Sequence, residues 1–353
     1  MPVQRSLPTP KKRPAHDQLD FVRVDGRYRV GKLLGTGRSG EPHSNRVRLV
    51  FMISLASVFL GKDIKTGADV VLKVGRSGMR RSRLSHEYDV YTNIAGSTGI
   101  PEVLWYGKEG QREIIILQHL GTSLGNLVKE RQFDPKSIFL YASQMVRCSV
   151  HERILLLNIL SRSQLTAIES LHNCHYIHRD IKPGNFMISV EGPSPVPFLI
   201  DFGLAQEYRD PATYLHTPYN PHDPIVGTLA FSSINGQQRG TQSRRDDLES
   251  FAYTLIYSAL GELPWTGCRN SKEVLQKKLE TPLKQLCQGL PTPFCDFVIY
   301  VRELDFDEKP DYQHLHGILS LCLETQTDQS IKVPLSVHAP VNAERTPVVC
   351  GRV

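Results

Sequence analysis

The sequence contains little that would support a secreted, membrane-spanning or fibrous protein. Its seven cysteines are scattered over 353 residues without a Cys-x-x-Cys pair, so no disulfide framework is indicated and a reducing compartment is favoured. The longest apolar stretch, residues 49–60, contains two serines and is too short to cross a bilayer. Internal repeats of roughly 20–50 residues, which mark solenoids and propellers, are also absent.

An excess of one charge sign is also nearly absent. The 42 Lys and Arg residues against 36 Asp and Glu residues give a net charge of +6, which is too diffuse to indicate nucleic-acid binding but suits acidic partners. We therefore expect protein partners, no nucleic acid, no membrane span and a monomer. Residues 1–20 carry no secretory signal, and their basic residues 11–13 are either a nuclear address or a solvated tail. The expected location is intracellular, in the cytoplasm, the nucleus or both.

The apolar pattern changes along the chain. Short apolar runs bounded by glycine predict strands over residues 28–34, 57–62, 69–74 and 113–117, with a hairpin turn at Lys65-Thr66-Gly67. Helical periodicity then predicts helices over residues 85–94, 137–145, 165–173, 246–260 and 271–279. A strand-rich first third followed by a helical remainder predicts an α+β fold with two lobes that meet at a cleft.

A glycine-rich segment follows the first predicted strand, comprising Leu34, Gly35, Thr36, Gly37, Arg38, Ser39 and Gly40. Glycines allow backbone N–H groups to approach phosphates closely, but this pattern alone also fits a dinucleotide site or an ordinary turn. Further on, Lys73 is centred in the apolar run 70–74. A lysine in a buried strand is costly unless it meets an opposite charge, and the alternative is a lysine on an edge strand.

The densest signal is the octapeptide His178-Arg179-Asp180-Ile181-Lys182-Pro183-Gly184-Asn185, and Asp201-Phe202-Gly203 follows it. Asp180 can accept a hydroxyl proton, Lys182 can neutralise charge on a transferred phosphoryl group, and the Asn185 side-chain oxygen can bind Mg²⁺. Asp201 comes directly after an apolar run, which would deliver a second carboxylate to a metal.

These motifs, in this order, resemble a eukaryotic protein kinase, and Lys182-Pro183 is similar to the Ser/Thr type. The residues after them resemble the casein kinase 1 family: Ser232-Ser233-Ile234-Asn235, the run Ser243-Arg244-Arg245-Asp246-Asp247-Leu248-Glu249-Ser250, Leu263-Pro264-Trp265 and residues 304–312. The resemblance implies a bilobal kinase fold, ATP and Mg²⁺ as cofactors, and transfer of the γ-phosphoryl group to hydroxyls of acidic or Ser/Thr-rich proteins. It implies a leader at 1–20, an N-lobe at 21–119, a C-lobe at 120–325 and a flexible tail at 326–353.

The resemblance also implies a role for each site residue. Asp180 would be the catalytic base, Lys182 would stabilise the γ-phosphoryl group, and Asn185 and Asp201 would bind Mg²⁺. Lys73 would hold the α- and β-phosphates and pair with Glu87, residues 34–40 would cover the phosphates, and Gln118 to Leu120 would reach the adenine edge, with Leu117 gating the pocket behind. Asp247 would brace the backbone of His178 and Arg179.

Two stretches depart from this family pattern. Residues 41–56 separate the glycine segment from the next strand, and residues 146–164 interrupt what would otherwise be one amphipathic helix. The apolar residues 154–157, 159 and 160 could also form an inserted helical segment. We interpret both as retained introns, because every Val codon begins GT, one Gln codon ends AG, and Gly40-Glu41 can encode GGTGAG. The alternative is a genuine insertion. The competing functional hypothesis is a catalytically impaired kinase-fold binding protein or a product of the retained introns.

Smaller departures concern substrate recognition. Gly184 replaces an acidic residue, and Ala230 stands where the family often has an arginine that contacts acidic or phosphorylated substrates. A basic group comprising Arg76, Arg80, Arg81 and Arg83 either compensates for that loss or forms a solvated loop.

Overall fold

The computed structural model describes residues 19, 22–36, 56–76, 83–129, 150–189 and 195–331. Its strands are β1 (Arg23–Val24), β2 (Tyr28–Thr36), β3 (Ala56–Asp63), β4 (Asp69–Gly75), β5 (Val103–Glu109), β6 (Arg112–Gln118), β7 (Thr122–Ser123), β8 (Tyr176–Ile177), β9 (Phe186–Ser189), β10 (Val196–Leu199) and β11 (Gln206–Glu207). Its helices are α1 (Arg83–Asn93), α2 (Leu124–Lys129), α3 (Val150–Asn173), α4 (Ile234–Gln237), α5 (Arg244–Leu260), α6 (Ser271–Glu280), α7 (Leu283–Leu286), α8 (Pro293–Glu303) and α9 (Tyr312–Ile331). This mixture is consistent with the predicted α+β class.

An antiparallel sheet in the order β1-β2-β3-β4-β6-β5 forms the first part of the fold. The four predicted strands are confirmed as β2, β3, β4 and β6, whereas β5 was not predicted. The predicted turn between β3 and β4 is also confirmed. Asp63 accepts hydrogen bonds from the Lys65 amide and the Thr66 hydroxyl, each at 2.9 Å, and Gly67 has φ +75°, which a glycine adopts without a steric penalty.

Strand β6 connects the two hydrophobic cores. Ile114 and Ile116 belong to a cluster confined to the sheet, while Ile115 and Leu117 face the larger cluster that continues into the helices. Alternate residues of a strand point to opposite faces, so a continuous apolar run buries both faces of β6. Strand β6, which ends at Gln118, therefore contributes to the core of the sheet and to the core shared with the helices.

The predicted helix 85–94 is confirmed as α1, which packs against β6. The predicted helices 246–260 and 271–279 are confirmed as α5 and α6. Helix α5 is buried on most of its surface, α3 and α8 pack against it, and α9 packs against α3 and α8. Helices α8 and α9 were not predicted.

Helix α3 differs from the prediction of a helix over residues 165–173. It begins at Val150 and continues without interruption to Asn173, so most of the stretch 146–164 forms helix. Helix α9 ends at Ile331, and the predicted boundary at residue 325 therefore falls inside a helix. The predicted helix 137–145, residues 37–40 and most of the stretch 41–56 lie outside the described residues.

Strands β7 to β11 form a three-stranded and a two-stranded sheet. Strand β9 pairs with β10 and β7, and β8 pairs with β11. A 3₁₀ turn at Pro183–Asn185 precedes β9, and another at Phe202–Leu204 follows β10. These hairpins bring the two densest motifs of the sequence to the same region of the fold. Across the described part of the chain, no helix combines the length and apolarity needed to cross a membrane.

Candidate functional site

A largely apolar cavity of about 730 Å³ opens between the six-stranded sheet and the segment around β9. Leu34, Gly35, Val58 and Val71 contribute its sheet side, Gln118 to Ser123 its rim, and Met187, Ile188 and Ile200 its other side. Such a volume is typical of pockets that enclose a small molecule. Residues Leu34, Gly35, Leu117, Gln118 and Leu120, all predicted from the sequence, therefore line one cavity.

A cluster of three charged side chains, of which Lys73 and Glu87 are buried and Asp201 is partly exposed, connects the sheet, α1 and the segment after β10. The Lys73 ammonium lies 2.6 Å from a carboxylate oxygen of Glu87 and 2.6 Å from one of Asp201. Lys73 is 7% exposed and Glu87 is 2% exposed. The structure thus gives the buried strand lysine the opposite charge that its burial requires, and it pairs the two residues predicted to pair.

Within this cluster the pKa of Glu87 is raised and the pKa of Asp201 is lowered. Burial raises the pKa of Glu87 to about 7, although Lys73 opposes that change. Burial would also raise the pKa of Asp201, but the Coulomb attraction and hydrogen bond of Lys73 lower it to about 2. Asp201 is therefore ionised at neutral pH.

The second polar cluster surrounds Asp180. One Asp180 carboxylate oxygen accepts hydrogen bonds from the Thr228 amide at 2.9 Å and the Thr228 hydroxyl at 2.8 Å. The other oxygen lies 2.6 Å from the Lys182 ammonium, which also donates to the Thr228 hydroxyl at 3.0 Å. A carboxylate oriented by two Thr228 donors and an ammonium can receive a proton, and the ammonium can stabilise a transferring anion.

Asn185 contacts Asp180, and its backbone is hydrogen-bonded to Ile200, the residue before Asp201. Asn185 Nδ2 donates to the Asp180 backbone carbonyl oxygen at 2.9 Å, and the Ile200 amide donates to the Asn185 backbone carbonyl oxygen at 3.0 Å. These bonds fix the asparagine amide relative to Asp201, the residue after Ile200. One amide oxygen and one carboxylate form the oxygen-rich donor set that Mg²⁺ takes when substrate and water supply its other ligands.

Asp247, which lies in α5, braces the backbone of His178 and Arg179, as predicted. Its carboxylate accepts hydrogen bonds from the His178 amide at 2.6 Å and the Arg179 amide at 2.8 Å. His172 Nε2 lies 3.0 Å from the same carboxylate, and its Nδ1 makes a short hydrogen bond with the Tyr312 hydroxyl. Burial would raise the pKa of Asp247, but the hydrogen bond to His172 and nearby positive potential lower it overall.

Backbone strain coincides with this site. Arg179 has φ +66° and Asp201 has φ +70°, a region that costs side-chain-bearing residues about 1–3 kcal/mol. Gly227 has φ +91°, and a Cβ at that position would lie 2.3 Å from the Arg179 carbonyl oxygen. The loop that carries Thr228 therefore approaches the catalytic segment at a distance that only glycine permits.

Two residues of this site, Thr228 and Tyr312, could not be identified from the sequence patterns. Their hydrogen-bond partners lie far away in the chain. Of the predicted residues, Thr36 ends β2, and Gly37, Arg38, Ser39 and Gly40 lie outside the described residues, as do Arg80 and Arg81.

A comparison with protein-family models gives one finding that bears on this geometry. The model described as fungal protein kinase matches residues 146–259, roughly a third of the chain. The matched stretch contains the Asp180 segment, Asp201, the Thr228 loop and Asp247. This match supports a protein kinase family, kinase-like function and phosphotransferase activity for the chain.

Proposed function

We propose that this chain is a Ser/Thr protein kinase of casein kinase 1 type that transfers the γ-phosphoryl group of ATP to protein hydroxyls. The observation that carries the proposal is the arrangement of two polar clusters, Lys73–Glu87–Asp201 and Asp180–Lys182–Thr228, beside a cavity of about 730 Å³. The proposal includes a bilobal fold with the boundary between the lobes predicted above, because the cavity lies between the sheet and the mainly helical part, and a C-lobe that continues to the end of α9 at Ile331.

In this proposal each side chain has a role that follows from its chemistry. Asp180 takes the proton of the substrate hydroxyl as that oxygen attacks the γ-phosphorus and the bond to ADP breaks. Lys182 neutralises charge on the transferring group, and Lys73 contacts the α- and β-phosphates. Gln118 to Leu120 contact the adenine edge. Positioning and charge neutralisation carry most of the catalysis.

The residues present fit Mg²⁺. Asn185 and Asp201 would hold it through oxygen atoms, and Asp201 is kept ionised by Lys73. When bound, Mg²⁺ would neutralise charge that develops on the phosphates. The part of the chain that the structure describes contains no group of three or more His, Cys, Asp or Glu side chains suited to a metal, which is compatible with Mg²⁺ because that ion binds few protein ligands in phosphoryl-transfer sites.

The proposal extends to substrate and location. The substrates are acidic or Ser/Thr-rich proteins, the chain acts as a monomer, and it works in the cytoplasm, the nucleus or both. Ala230 lacks the guanidinium that would read a phosphorylated residue, so a phosphate already present on the substrate contributes less than an extended acidic sequence.

Mg·ATP is expected to raise the melting temperature of the purified chain, because a ligand that binds only the native state stabilises it. At a hundredfold excess over its Kd the stabilisation is about 2.7 kcal/mol. The measurement is differential scanning fluorimetry with Mg·ATP, with ATP plus EDTA and with Mg²⁺ alone, followed by transfer of labelled phosphate to an acidic Ser/Thr-rich protein.

Asp201→Asn provides the matched control for this measurement. It preserves the size of the side chain but removes the charge assigned to the metal, so the Mg²⁺-dependent part of the shift should disappear. Equal melting temperatures with and without Mg·ATP in the parent chain would contradict an ATP site. A shift without phosphate transfer would favour the impaired, binding-only alternative.

One observation favours the second hypothesis, in which residues 146–164 are a retained intron. Gln164 is fully buried in α3, and neither atom of its side-chain amide has a hydrogen-bond partner within the described residues. A buried polar group without a partner costs about 1–3 kcal/mol. Ser161 is buried as well, whereas Arg162 and Ser163 are exposed.

Removing residues 146–164 would place residues 141–145 directly before Leu165. Met145 would then occupy the buried position of Gln164, and Ala142 the buried position of Ser161. Ser143 and Gln144 would occupy the two exposed positions. The upstream residues therefore match the burial pattern of α3 better than the residues now in place.

A chain lacking residues 146–164 is expected to be more stable than the full chain by about 1–3 kcal/mol, because the unpartnered amide of Gln164 is removed. Urea unfolding followed by circular dichroism measures the difference. Gln164→Met in the full chain tests the same cause without the deletion and should recover much of the gain. A deleted chain that is less stable would mean that the segment is an integral part of α3.

A further inference from the structure

The 228–232 loop carries the Thr228 side chain, which orients the proposed base Asp180. Two side chains distant in sequence hold this loop by its carbonyl oxygens. Lys278 Nζ donates to the Leu229 carbonyl oxygen at 2.9 Å and also to that of Ser232. Trp265 Nε1 donates to the intervening Ala230 carbonyl oxygen at 2.7 Å. Side chains from beyond α5 and from α6 thus satisfy three of the loop's acceptors.

The loop also holds its own shape. The Phe231 and Ser232 amides donate to the Thr228 carbonyl oxygen at 2.9 Å and 3.0 Å. A shift of the carbonyls held by Lys278 and Trp265 would therefore be passed directly to Thr228. Thr228 in turn contacts both Asp180 and Lys182.

Lys278 is an unusual residue to use for this purpose. It is 0% exposed, and its ammonium lies 4.9 Å from the Tyr253 ring centre and 5.0 Å from that of Trp265. The two aromatic faces offset part of the cost of removing a cation from water. A leucine or methionine would pack there at lower cost, but neither could hydrogen-bond to the loop.

The charged surroundings of Lys278 explain how the amine is tolerated. Burial lowers its pKa to about 7, Glu249 opposes this shift, and Arg302 adds to it. Glu249 lies 3.6 Å from Arg302 and accepts a hydrogen bond from the Tyr253 hydroxyl. Both the charged and the neutral amine have enough N–H groups for the two carbonyl oxygens, so the hydrogen bonds do not require a particular charge state.

We propose that Lys278, aided by Trp265, is a positioning residue that holds the 228–232 loop in the conformation required to accept a protein substrate. This inference rests on the proposed kinase function. The loop joins Thr228, which contacts the base Asp180, to Ala230, where substrate recognition is expected. Lys278 touches neither ATP nor the reacting atoms, and it acts only through the loop carbonyls.

The test compares Lys278→Met with Lys277→Met, a matched change at the exposed neighbouring position. An acidic serine-rich peptide and ATP are varied separately in steady-state assays. Leaving two carbonyl oxygens unpaired should raise the peptide KM or lower kcat by about tenfold or more, while the ATP KM stays within about twofold of the parent. Lys277→Met should match the parent in both.

A second measurement does not depend on activity. The chain has two tryptophans, so Trp105→Phe leaves Trp265 as the fluorescent reporter. Trp265 is 2% exposed, and acrylamide should quench it poorly. Adding Lys278→Met should increase the quenching constant, because the contacts that hold the Ala230 carbonyl against the indole are weakened, and adding Lys277→Met should not.

The outcomes separate the inference from the function on which it rests. Unchanged peptide kinetics and unchanged quenching in Lys278→Met overturn the inference, as does an equal rise in the KM of ATP and peptide. Should Lys278→Met fail to fold, Trp265→Phe, which removes one N–H donor, must reproduce the selective peptide defect. If the parent transfers no phosphate, the proposed function is wrong, and quenching alone decides whether Lys278 holds the loop.

Discussion

Replacing Asp180 with asparagine is expected to reduce kcat for phosphate transfer by about 10²–10⁴-fold. The asparagine keeps a side-chain oxygen for the Thr228 amide, so the segment should retain its shape. It cannot accept the hydroxyl proton, and it no longer neutralises the Lys182 ammonium, which lies 2.6 Å away in the parent. Steady-state assays of labelled phosphate transfer provide the measurement.

The control for Asp180→Asn is Asp69→Asn, the same change on an exposed strand residue that pairs with Lys62. It should leave kcat at the parent value. Mg·ATP should still raise the melting temperature of Asp180→Asn, because this residue is assigned to the hydroxyl and not to the nucleotide. Full activity in Asp180→Asn would exclude Asp180 as the base.

Lys73→Met is expected to destabilise the native state by about 3–5 kcal/mol, the usual cost of leaving buried charges without their partner. Glu87 and Asp201 would then face each other without a cation. The variant should also lose its Mg·ATP-dependent rise in melting temperature, because the residue assigned to the phosphates is missing. Urea unfolding and scanning fluorimetry measure the two effects.

The cost of Lys73→Met should depend on pH in a definite direction. In the parent, the folded-state pKa of Glu87 is about 7 against an ordinary value of 4.5. Its contribution to stability is therefore complete below 4.5 and is lost as the pH rises through 7. Without Lys73 that pKa rises further, so the variant should be less impaired at pH 5, where Glu87 can be protonated, than at pH 8.

Lys62→Met is the control for Lys73→Met, since it removes a lysine from the neighbouring strand β3. Lys62 and Asp69 are each about half exposed, and surface ion pairs contribute little to stability. We expect no measurable change in unfolding. A Lys73→Met variant as stable as Lys62→Met at every pH would mean that the buried cluster does not carry the charges assigned to it.

Local patterns were sufficient to predict strands β2, β3, β4 and β6, the turn at Lys65-Thr66-Gly67, and helices α1, α5 and α6. In each of these the periodicity and the turn residues agree with the burial that the fold imposes. Strand β5 was missed because its apolar run, residues 103–106, is too short for periodicity alone to identify a strand. Helix α3 begins at Val150, before the predicted start at residue 165. Residues 150–164 are compatible with helix on their own.

Some residues of the candidate site could be predicted from the sequence, and others could not. Asp180, Lys182, Asn185 and Asp201 could be predicted because their functional groups lie in two short motifs with a characteristic order. Thr228 could not, because a threonine in a loop carries no signal until the fold brings it within 2.8 Å of Asp180. Lys278 was predicted only as part of a helix, since its periodic position said nothing about carbonyl oxygens 46 and 49 residues away.

The sequence by itself determined which chemical groups are available and which short segments carry them, because spacing within a strand, turn or helix is set by local backbone geometry. Only the tertiary structure decided that Asp201 joins the Lys73–Glu87 pair, that Thr228 orients Asp180, and that Gln164 is buried without a hydrogen-bond partner among the described residues. Those outcomes depend on packing between residues far apart in the chain, where burial in a low-dielectric interior sets the cost of every unpaired charge or polar atom.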